Sequence, residues 1–205
     1  MRFEIFFVHS RAVRIGSFLF ATILMLLFGG CASNPKSGKA ISRSLTGKGI
    51  KSESQLVRFF MASNPSADKS EVQRLAKLYI RESSTEGINS DCAFVQMCHE
   101  TGFLKFGNLV TPDMHNYGGL GAIDADHPGE RFDTEQLGVR AHVQHLHAYA
   151  TPATKTLRNP LVDTRYKWVT PRGKAPTIYE LTGTWATDEN YGTKLNTLLS
   201  RLEAY

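Results

Sequence analysis

The chain has 205 residues, with 24 Lys and Arg against 19 Asp and Glu and a formal net charge of +5. Residues 1–30 hold three Arg and one Glu, so the rest of the chain carries a net charge of +3. This small surplus is compatible with an anionic polymer as partner, but it does not predict a nucleic-acid-binding protein. Residues 53–205 are enough for one domain with one hydrophobic core.

The first 30 residues have the pattern of a secretory signal peptide. Three arginines precede an uncharged apolar run over residues 15–28, and Gly29 and Gly30 follow it. A basic start, a short apolar run and small residues before a cleavage site are typical of export signals, and this run is too short to span a bilayer. The alternative is an N-terminal membrane anchor that is never cleaved.

The residues before Cys31 resemble the cleavage box of bacterial lipoproteins, in which the cysteine is diacylated and becomes the first residue. Phe28 stands where that box usually has Leu. The resemblance implies an exported protein held at a membrane by lipid on Cys31, since two acyl chains anchor stably. Because Ala32 follows the cysteine, the expected location in a Gram-negative cell is the outer membrane, facing the periplasm. Residues 31–52 are rich in Ser, Lys and Gly and are predicted to form a flexible tether.

Residues 53–205 show mainly helical periodicity, which predicts five or six helices around one core. The predicted helices cover residues 54–63, 72–86, 91–101, 133–150 and 177–186, and a last one begins near 189. Two irregular segments, 107–132 and 151–176, interrupt them, and the first is expected to contain a loop or small hairpin. Long irregular stretches in a compact domain often carry function.

Cys92 and Cys98 are predicted to be free thiols. They lie six residues apart on one predicted helix, where a rise of about 1.5 Å per residue separates their Cα atoms by about 9 Å. That distance is beyond the reach of a disulfide.

Glu100 is the residue whose setting is most informative about chemistry. It lies at the edge of the apolar face of its predicted helix and near the negative end of the helix dipole, and both features favour a protonated carboxyl. A protonated carboxyl is what a general acid needs in order to protonate a glycosidic oxygen. On this chemistry alone, a helix-end glutamate in a surface salt bridge is the more common outcome.

The histidines do not form a recognisable metal motif. His99 and Glu100 lack the second histidine of the zinc-protease helix, because position 103 is Phe. His142 and His145 can share a helix face, but no carboxylate or third ligand is placed beside them. The sequence therefore predicts neither a metal nor a cofactor.

Three segments in order resemble the glucosaminidase domain of bacterial autolysins, glycoside hydrolase family 73. They are residues 93–106, Asn116–Leu120 and 185–191, and the resemblance covers about residues 53–205. It implies a mainly α, lysozyme-like two-lobed helical domain with a small loop or β-hairpin lobe. It also implies an endo-β-N-acetylglucosaminidase that cleaves β-1,4 bonds of peptidoglycan glycan strands. The alternatives are a lytic transglycosylase and a non-catalytic peptidoglycan-binding lipoprotein.

The resemblance also implies roles for individual residues. Glu100 matches the catalytic acid of the family, and Tyr191 matches a tyrosine that positions the reacting sugar. The turn from Asn116 to Leu120 is expected to line the groove, so Asn116 and Gly119 are candidate substrate-binding residues. Aromatic side chains outside helix cores are plausible sugar platforms, here Tyr117 and Trp168, whereas Trp185 is more typical of a core position.

The second catalytic carboxylate is the open part of this hypothesis. Many family members carry one on a longer hairpin, but here only the segment 121–132 follows the turn. The candidates are Asp124, Asp126, Glu130 and Asp133. Asp124 is preferred because glycines precede it, although a solvated loop aspartate is an equal alternative. A third route needs no protein nucleophile, since the 2-acetamido group of the substrate can attack its own sugar carbon.

Overall fold

The computed structural model describes residues 40–205, so the predicted signal peptide, Cys31 and the first part of the predicted tether lie outside it. The described part is mainly helical, as predicted, and contains one small hairpin. Its helices are α1 (Glu53–Ser63), α2 (Lys69–Glu86), α3 (Ser90–Glu100), α4 (Glu135–Ala150) and α5 (Tyr191–Glu203), and its antiparallel strands are β1 (Ala122–Asp124) and β2 (His127–Pro128). Within residues 40–205, no helix is both long and apolar enough to cross a membrane.

The helix ends follow local side-chain chemistry. The Asp68 side chain accepts a hydrogen bond from Ser70 N at the start of α2, and Gly87 ends that helix with a left-handed φ of 72°. Helix α3 begins one residue earlier than predicted, because the cap is the side chain of Asn89, which accepts from Asp91 N. The cap of α4 is Thr134, whose hydroxyl accepts from Leu137 N.

Helix α3 is the buried centre of the fold. Every residue from Ser90 to Cys98 is buried, and the other four helices all contact this helix. Cys92 and Cys98 are both buried free thiols, as predicted, and burial raises the pKa of each. Because α3 is held on all sides, the side chains at its C-terminal end have a rigid support.

The folded region begins upstream of the predicted boundary at Glu53. Ile41 and Leu45 are buried in the core with 3% and 1% of their surface exposed. Leu45 N donates to Pro176 O at 2.9 Å, and Arg43 forms an ion pair with Glu203. The predicted tether over 31–52 is therefore wrong for residues 41–52, because two apolar side chains in a polar segment are enough to pack it onto the domain.

The predicted helix over 177–186 is also wrong. Thr177 and Glu180 form one half of a capping box, with Thr177 N donating to Glu180 Oε2 at 2.9 Å, while the Thr177 hydroxyl accepts from Tyr179 N at 3.2 Å. The chain then turns instead of continuing, because Gly183 takes a left-handed φ of 72° and its N–H donates to Ala186 O at 2.8 Å. Because no helix follows Thr177, the segment turns and brings the Trp185 side chain to the C-terminal end of α3.

Candidate active site

Glu100 is the last residue of α3, and its carboxyl group is held by two side chains from the C-terminal part of the chain. Trp185 Nε1 donates to Glu100 Oε1 at 3.0 Å. The hydroxyl of Tyr191, the first residue of α5, donates to the same oxygen. The other oxygen, Oε2, has no hydrogen-bond partner within residues 40–205. The alternative of a helix-end surface salt bridge is excluded, since no basic side chain of the described residues pairs with Glu100.

Two opposing effects set the pKa of Glu100. Burial of the carboxyl disfavours its charged form and is the larger effect, so the pKa lies above its ordinary value. The hydrogen bonds from Tyr191 and Trp185 favour the carboxylate and limit the rise. The group can therefore carry a proton at a higher pH than a solvated glutamate, and the carboxylate left after proton donation is also supported.

A cavity of about 190 Å³ opens beside Glu100. Its wall is formed by the end of α3, by the segment that follows it and by the turn before β1. The lining residues are Glu100, Thr101, Phe106, Asn108, Leu109, Val110, Asn116, Gly119 and Ala122. Of the described carboxylates, Glu100 is the one that lines this cavity.

Asn116 and Gly119 of the turn Asn116–Leu120 line one side of the cavity. Asn116 is 1% exposed, and its Nδ2 donates to Leu120 O at 2.8 Å and to Glu130 O at 3.0 Å. Its Oδ1 accepts from Leu120 N at 2.9 Å. Both amide hydrogens are used within the protein, so Asn116 shapes the turn and cannot donate to a ligand in this arrangement.

Gly119 brings the backbone of this turn against the acid. Its φ is +64°, and a Cβ at this position would lie 3.3 Å from Glu100 Oε2. Glycine is required here both by the left-handed backbone and by the close approach. Oε2 of Glu100 therefore lies beside the turn backbone at the cavity wall.

Two predicted sugar platforms have different positions. Tyr117 is wrong as a platform, because it is 1% exposed and belongs to the hydrophobic core. Trp168 is 63% exposed, and the guanidinium of Arg165 lies 4.8 Å from its ring centroid. Trp168 does not line the cavity beside Glu100.

Asp124, the preferred second carboxylate, is the last residue of β1 and does not line the cavity. Its Oδ1 accepts from the backbone N–H groups of Asp126 and His127 at 3.0 and 2.9 Å and lies 2.9 Å from His127 Nδ1. This is the geometry of an aspartate that stabilises its own turn. Glu130 lies beside Gly121, where a Cβ would be 3.5 Å from its Oε1, and it does not line the cavity.

Trp185 is the site residue that the sequence reasoning missed. The pattern predicted a core position, and its ring does pack against His142, His145 and Tyr149. Its indole N–H nevertheless reaches Glu100. The available signal was its place six residues before Tyr191 in the same segment, but only the turn at Gly183 explains why both side chains meet the carboxyl.

The histidines take structural positions. His142 is fully buried and hydrogen-bonded to Tyr79 and Gln96, and His145 Nδ1 pairs with Asp163 at 2.7 Å. His99 packs its ring edge against Tyr191. Within residues 40–205, no group of three or more His, Cys, Asp or Glu side chains could hold a metal ion.

Comparison with known proteins gives the class of this site. Residues 76–204 match the family model of the glucosaminidases, described as mannosyl-glycoprotein endo-β-N-acetylglucosaminidases. An uncharacterised protein of Borreliella burgdorferi is 43% identical over 150 residues, which are 73% of this chain and 72% of that protein. The catalytic domain of the autolysin Auto from Listeria monocytogenes shares 14% identity at a TM-score of 0.44, over 76% of this chain and 97% of that one.

A partly buried carboxyl beside a cavity fits the acid that a glycoside hydrolase needs. The chain belongs to the glucosaminidase family and is an endo-β-N-acetylglucosaminidase. The family match also confirms the predicted lysozyme-like class of the fold.

Proposed function

We propose that the glycan cleaved by this enzyme is the glycan strand of bacterial peptidoglycan and that Glu100 is its catalytic acid. The observation that carries the proposal is the carboxyl itself: one oxygen is held by Trp185 and Tyr191, and the other lies at the cavity wall beside Gly119. A carboxyl held in this way has a fixed direction and a free oxygen from which to transfer a proton.

The reaction begins with protonated Glu100. As the bond between the sugar C1 and the glycosidic oxygen breaks, the proton moves from Oε2 to that oxygen, and the leaving sugar departs as an alcohol. Positive charge develops on the ring left behind, and Glu100 becomes a carboxylate held by Tyr191 and Trp185. Attack of water on C1 then completes hydrolysis.

For the second half of the reaction, the arrangement of carboxylates favours a route without a protein nucleophile. Glu100 is the single carboxylate of the described residues in the cavity wall, and the Asp124 carboxylate is engaged in its own turn. The 2-acetamido group of the substrate can take the part of the nucleophile, with Glu100 acting next as the base for water.

The same observation favours lytic transglycosylation as the second candidate function. In that reaction a hydroxyl of the sugar that carries C1 attacks its own C1 and closes an anhydro ring. Glu100 serves first as the acid for the leaving sugar and then as the base that takes the proton of this hydroxyl. Mass spectrometry of digested sacculi separates the two, because transglycosylation leaves products lighter by one water molecule. Reducing ends on the released fragments would identify hydrolysis.

Glu100→Gln tests the proposed catalytic role. The amide can accept the same hydrogen bonds but has no acidic proton to give, so the rate on purified peptidoglycan should fall on the order of a hundredfold or more. The matched control is Glu71→Gln, which removes another carboxyl whose pKa burial raises but which does not line the cavity. The role of Glu100 is disproved if Glu100→Gln clears peptidoglycan as fast as the control.

The same variant separates an enzyme from a wall-binding protein. If neither the wild type nor Glu100→Gln clears peptidoglycan but both sediment with sacculi, the chain is a binding protein that lacks turnover. If only the wild type clears it, the enzyme interpretation stands.

We propose in addition that the protein is exported and anchored by lipid on Cys31. The support is the sequence pattern of residues 1–31, with the small residues directly before the cysteine. In cells fed radiolabelled palmitate, the wild type should carry the label and Cys31→Ser should not. Equal labelling of both proteins would exclude Cys31 as the modified residue.

A further inference from the structure

A continuous chain of four hydrogen bonds runs through the core and ends on Glu100. Tyr79 Oη lies 2.7 Å from His142 Nδ1, and His142 Nε2 lies 3.1 Å from Gln96 Oε1. Gln96 Nε2 lies 2.8 Å from Tyr191 Oη, whose hydrogen reaches Glu100 Oε1. The four residues before Glu100 are each at most 3% exposed and come from four different helices.

The direction of this chain is set by Gln96. A side-chain amide donates only from nitrogen and accepts only at oxygen. Because Gln96 Nε2 faces Tyr191, the tyrosine oxygen accepts and its own hydrogen is left for Glu100. Because Gln96 Oε1 faces His142, the imidazole must carry its hydrogen on Nε2. Every proton in the chain then has one defined place.

The opposite direction fails at Tyr79. If His142 carried its hydrogen on Nδ1, that hydrogen would go to Tyr79 Oη. The tyrosine hydrogen would then need another acceptor, but within residues 40–205 its hydroxyl has His142 Nδ1 as its one partner. A buried hydroxyl hydrogen without an acceptor is costly, so Tyr79 must donate and His142 Nδ1 must accept.

The side chains of Tyr79, His142 and Tyr191 in this series of hydrogen bonds stay uncharged near neutral pH. Burial lowers the pKa of His142 to about 3 and raises the pKa values of Tyr79 and Tyr191 well above their usual range. The other titratable groups that influence these side chains are Cys98, Tyr117, His145 and Tyr149. A neutral histidine has one donor and one acceptor, as the chain requires.

The ring of His142 is also held in place by residues that do not belong to the series of hydrogen bonds. A Cβ on Gly118 would lie 2.9 Å from His142 Cδ2, so the turn backbone presses against the imidazole. The ring of Trp185, which donates to Glu100, lies 5.6 Å from that of His142 between centroids. Gly118 and Gly119 therefore lie against two members of this series, His142 and Glu100.

We propose that Gln96 and His142 are positioning residues for Glu100. The direction of their hydrogen bonds keeps the Tyr191 hydrogen on Glu100 Oε1, and Oε2 is therefore the oxygen that carries the transferable proton. The inference rests on the proposed role of Glu100 as the acid. Oε1 accepts from both Tyr191 and Trp185, whereas Oε2 has no partner among the described residues and lies at the cavity wall. Tyr79, at the other end of the series, fixes the direction of the hydrogen bonds because its hydroxyl must donate to His142 Nδ1.

The direction can be measured without any substrate. In the protein labelled with ¹⁵N-histidine, long-range ¹H–¹⁵N spectra report which ring nitrogen carries the hydrogen. We expect His142 to be neutral with its hydrogen on Nε2, and the signal missing in His142→Gln assigns it. A hydrogen on Nδ1, or a charged ring at neutral pH, overturns the proposal.

Tyr79→Phe tests whether the direction matters for catalysis. Without the tyrosine donor, both tautomers of His142 become accessible, and Gln96 can turn its oxygen towards Tyr191. We expect a several-fold loss of kcat with KM unchanged. The basic limb of the pH–rate profile should also move to higher pH, because a carboxylate that loses a donor is harder to ionise.

Tyr166→Phe is the matched control, since its hydroxyl lies 3.0 Å from His147 Nδ1 in a second tyrosine–histidine pair outside the chain. It should leave kcat and the basic limb in place. Gln96→Glu is a second probe with nearly the same shape: it replaces the donor facing Tyr191 with an acceptor and should move the basic limb further than Tyr79→Phe.

The outcomes separate this inference from the proposed function. An unmoved basic limb in both Tyr79→Phe and Gln96→Glu overturns the inference, even if the variants are slow or less stable. A wild-type protein that cleaves no peptidoglycan overturns the proposed function, while the tautomer of His142 still reports the direction of the chain.

Discussion

Tyr191 donates a hydrogen bond to Glu100 from a position that is 3% exposed, so its hydroxyl acts on the carboxyl and has little access to solvent. Tyr191→Phe should lower kcat about tenfold. A hydrogen bond to a charged group contributes about 1.5–3 kcal/mol, and the lower end applies because Trp185 still donates to the same oxygen. The loss should be smaller than that of Glu100→Gln, measured on the same peptidoglycan preparation. A larger loss for Tyr191→Phe would mean that the roles of the two residues are reversed.

Gly119 offers a second test at the scale of one residue. Gly119→Ala adds the cost of a left-handed alanine, about 1–2 kcal/mol, and also places a methyl group 3.3 Å from Glu100 Oε2. Activity should fall at least tenfold, because the methyl group displaces the oxygen that transfers the proton.

Gly87→Ala is the control for Gly119→Ala. Gly87 has a similar φ of +72°, but a Cβ there meets nothing within 4 Å. The two variants should lose similar thermal stability, measured as Tm, while Gly87→Ala keeps wild-type activity. Equal loss of activity in both would show that strain alone explains the effect.

At this scale the sequence predicted Glu100 and Tyr191 but not the contact between them. Helical periodicity placed Glu100 at the edge of an apolar face, and the family resemblance supplied Tyr191. Nothing in the spacing of Trp185 or Gln96 indicates a hydrogen bond, because these side chains meet only after α3 and α5 pack together. Tyr117 was misplaced for the same reason, since an aromatic residue in a polar loop can still reach the core.

Among the elements, the segment 41–52 is the one whose role differs most from expectation. Leu45→Ala should lower the free energy of unfolding by about 2–5 kcal/mol, the range for a buried leucine. Ile50→Ala, in the same segment but 39% exposed, should change it by no more than about 0.5 kcal/mol. Urea unfolding of both variants measures the difference, and two equally small effects would mean that the segment does not pack as described.

The helices were the predictable elements, and the irregular segments were not. Apolar residues at helical spacing located α1 to α5 to within a few residues, because each helix buries one continuous face. The capping box at Thr177 and Glu180 misled because its hydrogen bonds form locally whether or not a helix follows. Whether the chain turns at Gly183 or continues as a helix depends on the packing of Trp185, which is a tertiary effect.

For the whole molecule, burial of Glu100 has a consequence for stability. The raised pKa means that the folded state holds this proton more tightly than the unfolded chain does. The resulting stabilisation is present at low pH and is lost as pH rises from the unfolded pKa, about 4.5, through the folded one. Glu100→Gln has no such loss.

We therefore expect Glu100→Gln to be more stable than the wild type, by a margin in Tm that grows as the pH rises above about 4.5, the unfolded pKa. Glu71 and Asp91, whose pKa values burial also raises, are present in both proteins and cancel in the comparison. Thermal unfolding at a series of pH values measures the margin. A constant margin would contradict the raised pKa of Glu100.

The packing of residues 41–52 onto the domain would also limit where an enzyme anchored at Cys31 can work. With Cys31 lipidated, nine residues lie between the anchor and Ile41, which makes ten Cα–Cα steps. A chain of that length extends at most about 35 Å, against about 75 Å for a tether that ran as far as Ser52. The working radius is thereby roughly halved, so the enzyme would reach only the layer of the wall nearest to its own membrane.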